Sequence, residues 1–191
     1  MKIGIFGGSF NPPHRMHLNI ALELIDKKYL DKVIYVPTGD MYNKEGLISF
    51  EDRFKMIDLM IKDYNNLSLS DIGNNNDYVY TYQTLDYFKE INQGADIYFI
   101  CGTDNLLEFD TWKNYEYILD NYKLLVIIRN NHDVYEILNK YDKYKNNIIV
   151  TNVESRMISS TKIRENLKNN IIDMNLDTCV YDYIKGNNLY K

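Results

Sequence analysis

The sequence is poor in cysteine, in clustered positive charge and in long apolar runs, and each shortage excludes something. Only Cys101 and Cys179 occur in 191 residues. A single bridge between them is conceivable, but two thiols so far apart in sequence read as free and buried in a reducing compartment. No Lys/Arg cluster dominates and the formal net charge is −5. That balance argues against bulk binding to nucleic acid or to an anionic membrane, so a phosphate ligand has to be held locally by a few groups. The strongly apolar runs, such as Leu124 to Ile128, have the length of a strand rather than of a membrane span. Met1 to Phe6 leads straight into glycines instead of a cleavage site, so the N-terminus does not read as a signal peptide and a cytoplasmic protein is expected. No internal repeat is visible, and Trp112 is the one tryptophan.

What is present is an ordinary globular composition, 45% apolar and 26% charged, enough for one domain over residues 1–191 with a sizeable core. Strand-like runs fall at Lys2–Phe6, Lys32–Val36, Leu67–Ser70, Asp96–Cys101, Lys123–Ile128 and Asn147–Val150, with helical periodicity between most of them. Leu18, Ala21, Leu22 and Ile25 predict one apolar helix face after the first strand, and Ser49 with Asp52 opens a helix carrying Phe50, Phe54, Ile57 and Ile61. Another helix starts at Thr81 and runs through Leu85, Phe88 and Ile91. Asn74–Asp77 reads as a polar loop, Asp133–Lys145 as a solvated Tyr/Lys-rich helix, and Val180, Tyr183 and Ile184 as a final packed helix without visible chemistry. Strands alternating with helices predict a parallel α/β sheet, whose ligand crevice lies at the carboxyl ends of the strands.

Two segments carry chemistry. Gly7, Gly8, Ser9 and Phe10 follow the first strand, with Gly7 and Gly8 expected to supply backbone conformations that a side chain forbids. His14 and His17 come next, three apart, on one face of a helix start whose free N–H groups favour an anion. Late in the chain, Ser159, Ser160 and Thr161 mark another helix N-terminus, with Arg164 one turn in. Taken singly, each has a plainer reading. A lone His-x-x-His more often packs a helix, three hydroxyl residues are more often a cap, and a single tryptophan is more often core.

Gly8, Phe10, Asn11, Pro12, His14 and His17 together resemble the first signature of the nucleotidyltransferase superfamily, and Ile158 to Arg164 resembles the second. The resemblance implies a Rossmann-like, doubly wound parallel sheet. It also implies that His14, His17 and Arg164 stabilise the transferring phosphates, that Ser160 and Thr161 meet the ATP phosphates, that the backbone near Ile158 touches adenine, and that Asp104 of Gly102-Thr-Asp104 serves the ribose side. Trp112 and the stretch Tyr80-Thr81 through Thr84-Leu85 are similar to the branch that adenylylates nicotinate or nicotinamide mononucleotide. There Trp112 stacks on the pyridine ring, Thr81 hydrogen-bonds the substrate and Thr84 supports the helix.

The chain departs from the family pattern at two places. Met16 stands where glycine is usual, and either narrows the nucleotide's approach or points into the helix packing. Pro37 to Lys44 replaces a Pro-Pro-His-Lys stretch, which leaves Lys44 as a phosphate ligand or a plain loop lysine, Asp40 as an influence on base preference, and Arg53 as a further candidate or a structural arginine.

The implied reaction is adenylyl transfer from ATP to nicotinate mononucleotide, giving deamido-NAD and pyrophosphate in NAD biosynthesis, with Mg²⁺ bound mainly through the ATP phosphates. A homo-oligomer is compatible with the sequence. The nearer alternative is a phosphopantetheine adenylyltransferase of the same fold. The more distant one is a dinucleotide-binding oxidoreductase or a nucleotide sensor, which Gly4, Gly7 and Gly8 fail to match as a Gly-x-Gly-x-x-Gly turn.

Overall fold

The apolar runs become a parallel sheet because both faces of each strand are covered. The computed structural model describes residues 1–42, 44–74, 79–129, 134–153 and 158–191. Among these, the strands are β1 (Lys2–Gly8), β2 (Lys32–Pro37), β3 (Leu67–Leu69), β4 (Asp96–Gly102), β5 (Lys123–Ile127) and β6 (Ile148–Val150). The helices are α1 (Arg15–Asp26), α2 (Phe50–Ile61), α3 (Thr81–Ile91), α4 (Thr103–Leu107), α5 (Tyr115–Asn121), α6 (Val134–Asn139), α7 (Ser160–Lys168) and α8 (Thr178–Gly186). The strand order is β3-β2-β1-β4-β5-β6 with every pairing parallel. The sheet therefore reverses between β1 and β4, the arrangement that puts a ligand crevice between the loops following those two strands.

Alternation along the strands divides the interior in two. Phe6, Val33, Tyr35, Tyr98, Ile100, Leu125 and Ile127 face the layer that contains α1, α2 and α8. Ile3, Ile5, Ile34, Val36, Ile97, Phe99, Cys101, Leu124 and Val126 face the layer of α3, α5 and α6. Cys101 and Cys179 are free thiols, the first buried and the second half-buried, and burial pushes the Cys101 thiol up to about 12.

Several expectations change here. Residues 134–145 are not a solvated helix: α6 and the turn after it bury Ile137, Tyr141 and Tyr144 in the second core. Their charges mislead because they lie on the outer face of the same short segment; Asp133 itself is outside the described residues, as are 75–77 of the expected polar loop. On α1 the fully buried side chains are Met16, Leu18, Ile20, Ala21 and Leu24, with Leu22 and Ile25 only partly buried. The stripe is wider than the four periodic positions indicated and begins earlier.

Met16 is 3% exposed within this core, so it fills the packing under α1 and does not narrow the nucleotide's approach. Gly7 and Gly8 also differ from expectation. Both belong to β1, and the left-handed residue of the turn is Phe10, at φ 46°. Gly8 is a matter of space, since a Cβ there would lie 3.3 Å from the Phe10 ring.

Candidate active site

The loop after β1 is held open by aromatic packing rather than by glycine freedom. A non-glycine residue at positive φ costs on the order of 1 kcal/mol, and Phe10 is kept there by burial against Phe6, Tyr35 and His17, with centroids at 5.7, 5.6 and 4.9 Å. Arg53, wholly buried, donates to the Ser9 carbonyl, the Ile48 carbonyl and Asp40 from behind the loop. It is a brace, not a ligand. Asp40 is occupied by that pairing and does not line the cleft, which corrects the expectation that it influences base preference.

His14 caps α1 and His17 occupies its first turn, the imidazoles stacked at 3.7 Å. The His14 main-chain N–H donates to His17 Nδ1 at 3.2 Å. That nitrogen must therefore offer a lone pair, so the proton of the neutral ring sits on Nε2 as a donor. Desolvation, helped for His17 by His14 and for both rings by the Arg129 charge, keeps them neutral: His14 is lowered to about 4, and His17 falls well below the usual histidine range. Tyr35 fixes the turn from below, donating to the His17 carbonyl at 2.9 Å.

The second motif closes on the first. Ser160 Oγ donates to the Pro12 carbonyl at 3.0 Å, and Arg164 donates through Nη1 to the Asn11 carbonyl at 2.8 Å and through Nη2 to Thr161 Oγ1 at 3.3 Å. Residues about 150 positions apart thus share one cleft of about 810 Å³. It is lined by Gly7, Gly8, Ser9, Phe10, His14, His17, Asp104, Ile158, Ser160, Thr161 and Arg164, and by Lys44, Tyr80, Thr81 and Trp112. Of the residues expected at the site, only Asp40 and Arg53 are not among the lining. Thr84 also reaches the lining, but its hydroxyl donates to the Tyr80 carbonyl at 3.4 Å, the helix-supporting role.

Asp104 does not cap α4; Gly102 does, with Asp104 at the second position. Its Oδ2 meets Arg129 at 3.5 Å, while Oδ1 is buried without a partner. Both side chains lie over Gly102, where a Cβ would overlap the Asp104 carboxylate and come within 2.7 Å of Arg129 Cδ. Arg129 lines the cleft and was missed by the motif reading. Its signal was positional, a cation just past the carboxyl end of β5. Thr103 Oγ1 fixes that end by bonding both the carbonyl and the N–H of Arg129 at 3.0 Å.

Among the described residues, the buried side-chain polar atoms without a partner are His14 Nδ1, Thr38 Oγ1 and Asp104 Oδ1, and all three belong to lining residues. Buried polar groups are normally paired. Three orphans around one crevice call for a polar molecule with hydrogen-bonding groups of its own, and the guanidinium groups and helix N-terminus beside them favour anionic groups on it.

The cytidylyltransferase-like family matches residues 5–166. The chain belongs to that family. A Clostridium acetobutylicum protein named "Probable nicotinate-nucleotide adenylyltransferase" is 37% identical over 99% of this chain and 98% of its own length. An Acholeplasma laidlawii protein of the same name is 35% identical over 98% and 96%. Two Plasmodium falciparum nicotinic acid mononucleotide adenylyltransferase structures, one complexed with APC and one with NaAD, superpose with TM-scores of 0.82 at 22% identity. They cover 99% of this chain and 96% and 97% of theirs, which shows the fold. In this member of the cytidylyltransferase-like family both signatures face one cleft, as the fold requires.

Proposed function

We infer that this chain is a nicotinate-nucleotide adenylyltransferase. It transfers the adenylyl group of ATP to nicotinate mononucleotide, giving deamido-NAD and pyrophosphate, a step of NAD biosynthesis. The observation that carries the chemistry is the joining of His14, His17 and Arg164 in one cleft through the Arg164–Asn11 hydrogen bond. The acceptor rests on the names of the full-length relatives and on Trp112, Tyr80 and Thr81 at one end of the same cleft.

The mononucleotide's phosphate oxygen attacks the α-phosphorus of ATP, a new P–O bond forms, and the bond to the β-phosphate oxygen breaks, leaving pyrophosphate with the electron pair. The attacking group is already an anion, so no protein nucleophile or base is needed, and catalysis is alignment with stabilisation of charge. His17 Nε2–H acts as a neutral donor to phosphate oxygen, Arg164 as a fixed cation, and the first turn of α7 as a set of main-chain donors. Asp104 Oδ1 accepts from a ribose hydroxyl.

Mg²⁺ enters as part of this proposal. The groups that face the phosphates are hydrogen-bond donors and cations, a set suited to anions, and the carboxylates of the lining are Asp104 and Glu108. Such a site fits an ion carried on the triphosphate's own oxygens and water, which when bound neutralises charge on the leaving pyrophosphate.

Purified protein incubated with ATP, Mg²⁺ and, separately, nicotinate mononucleotide, nicotinamide mononucleotide and phosphopantetheine tests the reading by pyrophosphate release. Release with nicotinate mononucleotide is expected. Release with phosphopantetheine and with neither pyridine mononucleotide overturns it.

A further inference from the structure

The segment after α8 reaches the signature loop. Asn188 and Tyr190 adopt left-handed φ values of 54° and 59°, turning the chain so that the Tyr190 ring enters the first core, 8% exposed. Its hydroxyl lies 2.7 Å from Asn11 Oδ1. The direction of that bond is fixed by Asn11's other end: Nδ2 donates to the Gly46 carbonyl at 2.7 Å, so Oδ1 can only accept, and Tyr190 donates. Burial pushes the phenol's pKa up despite the charges of Arg164 and Arg53 nearby, so the hydroxyl keeps its proton.

Asn11 is therefore held at three points: by Tyr190, by the loop before α2 through Gly46, and by Arg164 on its main-chain carbonyl. Arg164 depends on that carbonyl for its direction. The other bond from its guanidinium, to Thr161 Oγ1, is longer at 3.3 Å and joins two residues on the same helix.

We propose that Tyr190 is a positioning residue for adenylyl transfer, acting through Asn11 to hold the carbonyl that orients Arg164 toward the phosphates. The inference rests on the functional reading above. Asn188 takes the left-handed turn that ordinarily ends a helix, with the Leu189 N–H returning to the Ile184 carbonyl at 3.1 Å, whereas Tyr190 is left-handed beyond any helix, a cost its burial against Asn11 offsets. Small displacements of a charge-stabilising group are costly in a site that works by alignment.

Tyr190→Phe keeps the ring in the core and removes only the donor. Tyr183→Phe is the control, because Tyr183 belongs to the same C-terminal region and donates to Asp52 Oδ1 at 2.9 Å without touching Asn11. With ATP and nicotinate mononucleotide as substrates, Tyr190→Phe is expected to lower kcat about tenfold while KM for ATP stays within about twofold. Tyr183→Phe is expected to lower Tm by a similar amount to Tyr190→Phe with kcat retained. In an Arg164→Lys background the Tyr190→Phe effect on kcat should largely disappear, as coupled groups are not additive. Full kcat in Tyr190→Phe, an equal loss in Tyr183→Phe, or an undiminished effect in the Arg164→Lys background overturns the proposal. A wild-type protein that releases no pyrophosphate overturns the functional reading, and this inference with it.

Discussion

The two ends of the cleft are built differently. At the phosphate end, His14 is buried, its ring stacks on His17, and the neighbouring backbone is tied by Tyr35 to β2 and by Ser160 and Arg164 to α7. At the base end, Tyr80 is 39% exposed, while Trp112 is half-buried on Phe99 and Phe109 at 5.8 and 4.9 Å. Charge stabilisation gains most from donors fixed before the substrate arrives. Ring recognition needs area and a flat face more than a fixed direction. On the proposed function, turnover rests on the first end and acceptor affinity on the second.

Breaking the phosphate end should have the largest effect. His17→Ala is expected to reduce kcat on the order of 10²–10³-fold, because it removes a preorganised donor, while circular dichroism and Tm show a folded protein. A near-normal kcat would refute the assignment.

Acid should act on the same end through stability. His14 binds its proton at a pKa of about 4 when folded and 6.5 when unfolded, so between these values the unfolded chain holds more protons. Stability from this group is complete above pH 6.5 and is lost as the pH falls toward 4, by about 3 kcal/mol. Urea unfolding across that range measures it, and His14→Asn should flatten the profile.

Sharpening the base end requires substitutions that leave kcat alone. Trp112→Ala should raise KM for the mononucleotide about tenfold to a hundredfold, the usual worth of one aromatic–base stack, with the ATP KM little changed in the same assay. Lys44→Ala should have the smallest effect, a rise of about twofold to fivefold in one substrate's KM that shrinks with added salt, as expected for an exposed ammonium.

The sequence located most of this without coordinates, for reasons visible residue by residue. Runs such as Lys32–Val36 and Lys123–Ile128 differ from the observed strands by a residue because a parallel strand covered on both faces is continuously apolar. Serine 49 accepts from the Asp52 N–H as a capping residue should. The site residues were legible because each sits in a short local pattern. Arg129 was not, since one arginine past a strand has no pattern of its own and gains meaning only beside Asp104 and the two histidines. Nor was Tyr190, whose partner Asn11 is 179 positions away.

By itself, then, the chain's order of residues determined the strands, the helix starts and most of the residues that come to line the cleft, because propensity, capping and periodicity act over a few neighbours. Tertiary structure alone decided that His17 is a neutral Nε2 donor, that Met16 is packing and that Arg53 is a brace. It likewise decided that the C-terminal segment reaches the signature loop. Burial, tautomer and pairing depend on what the fold brings alongside, and no local pattern records it.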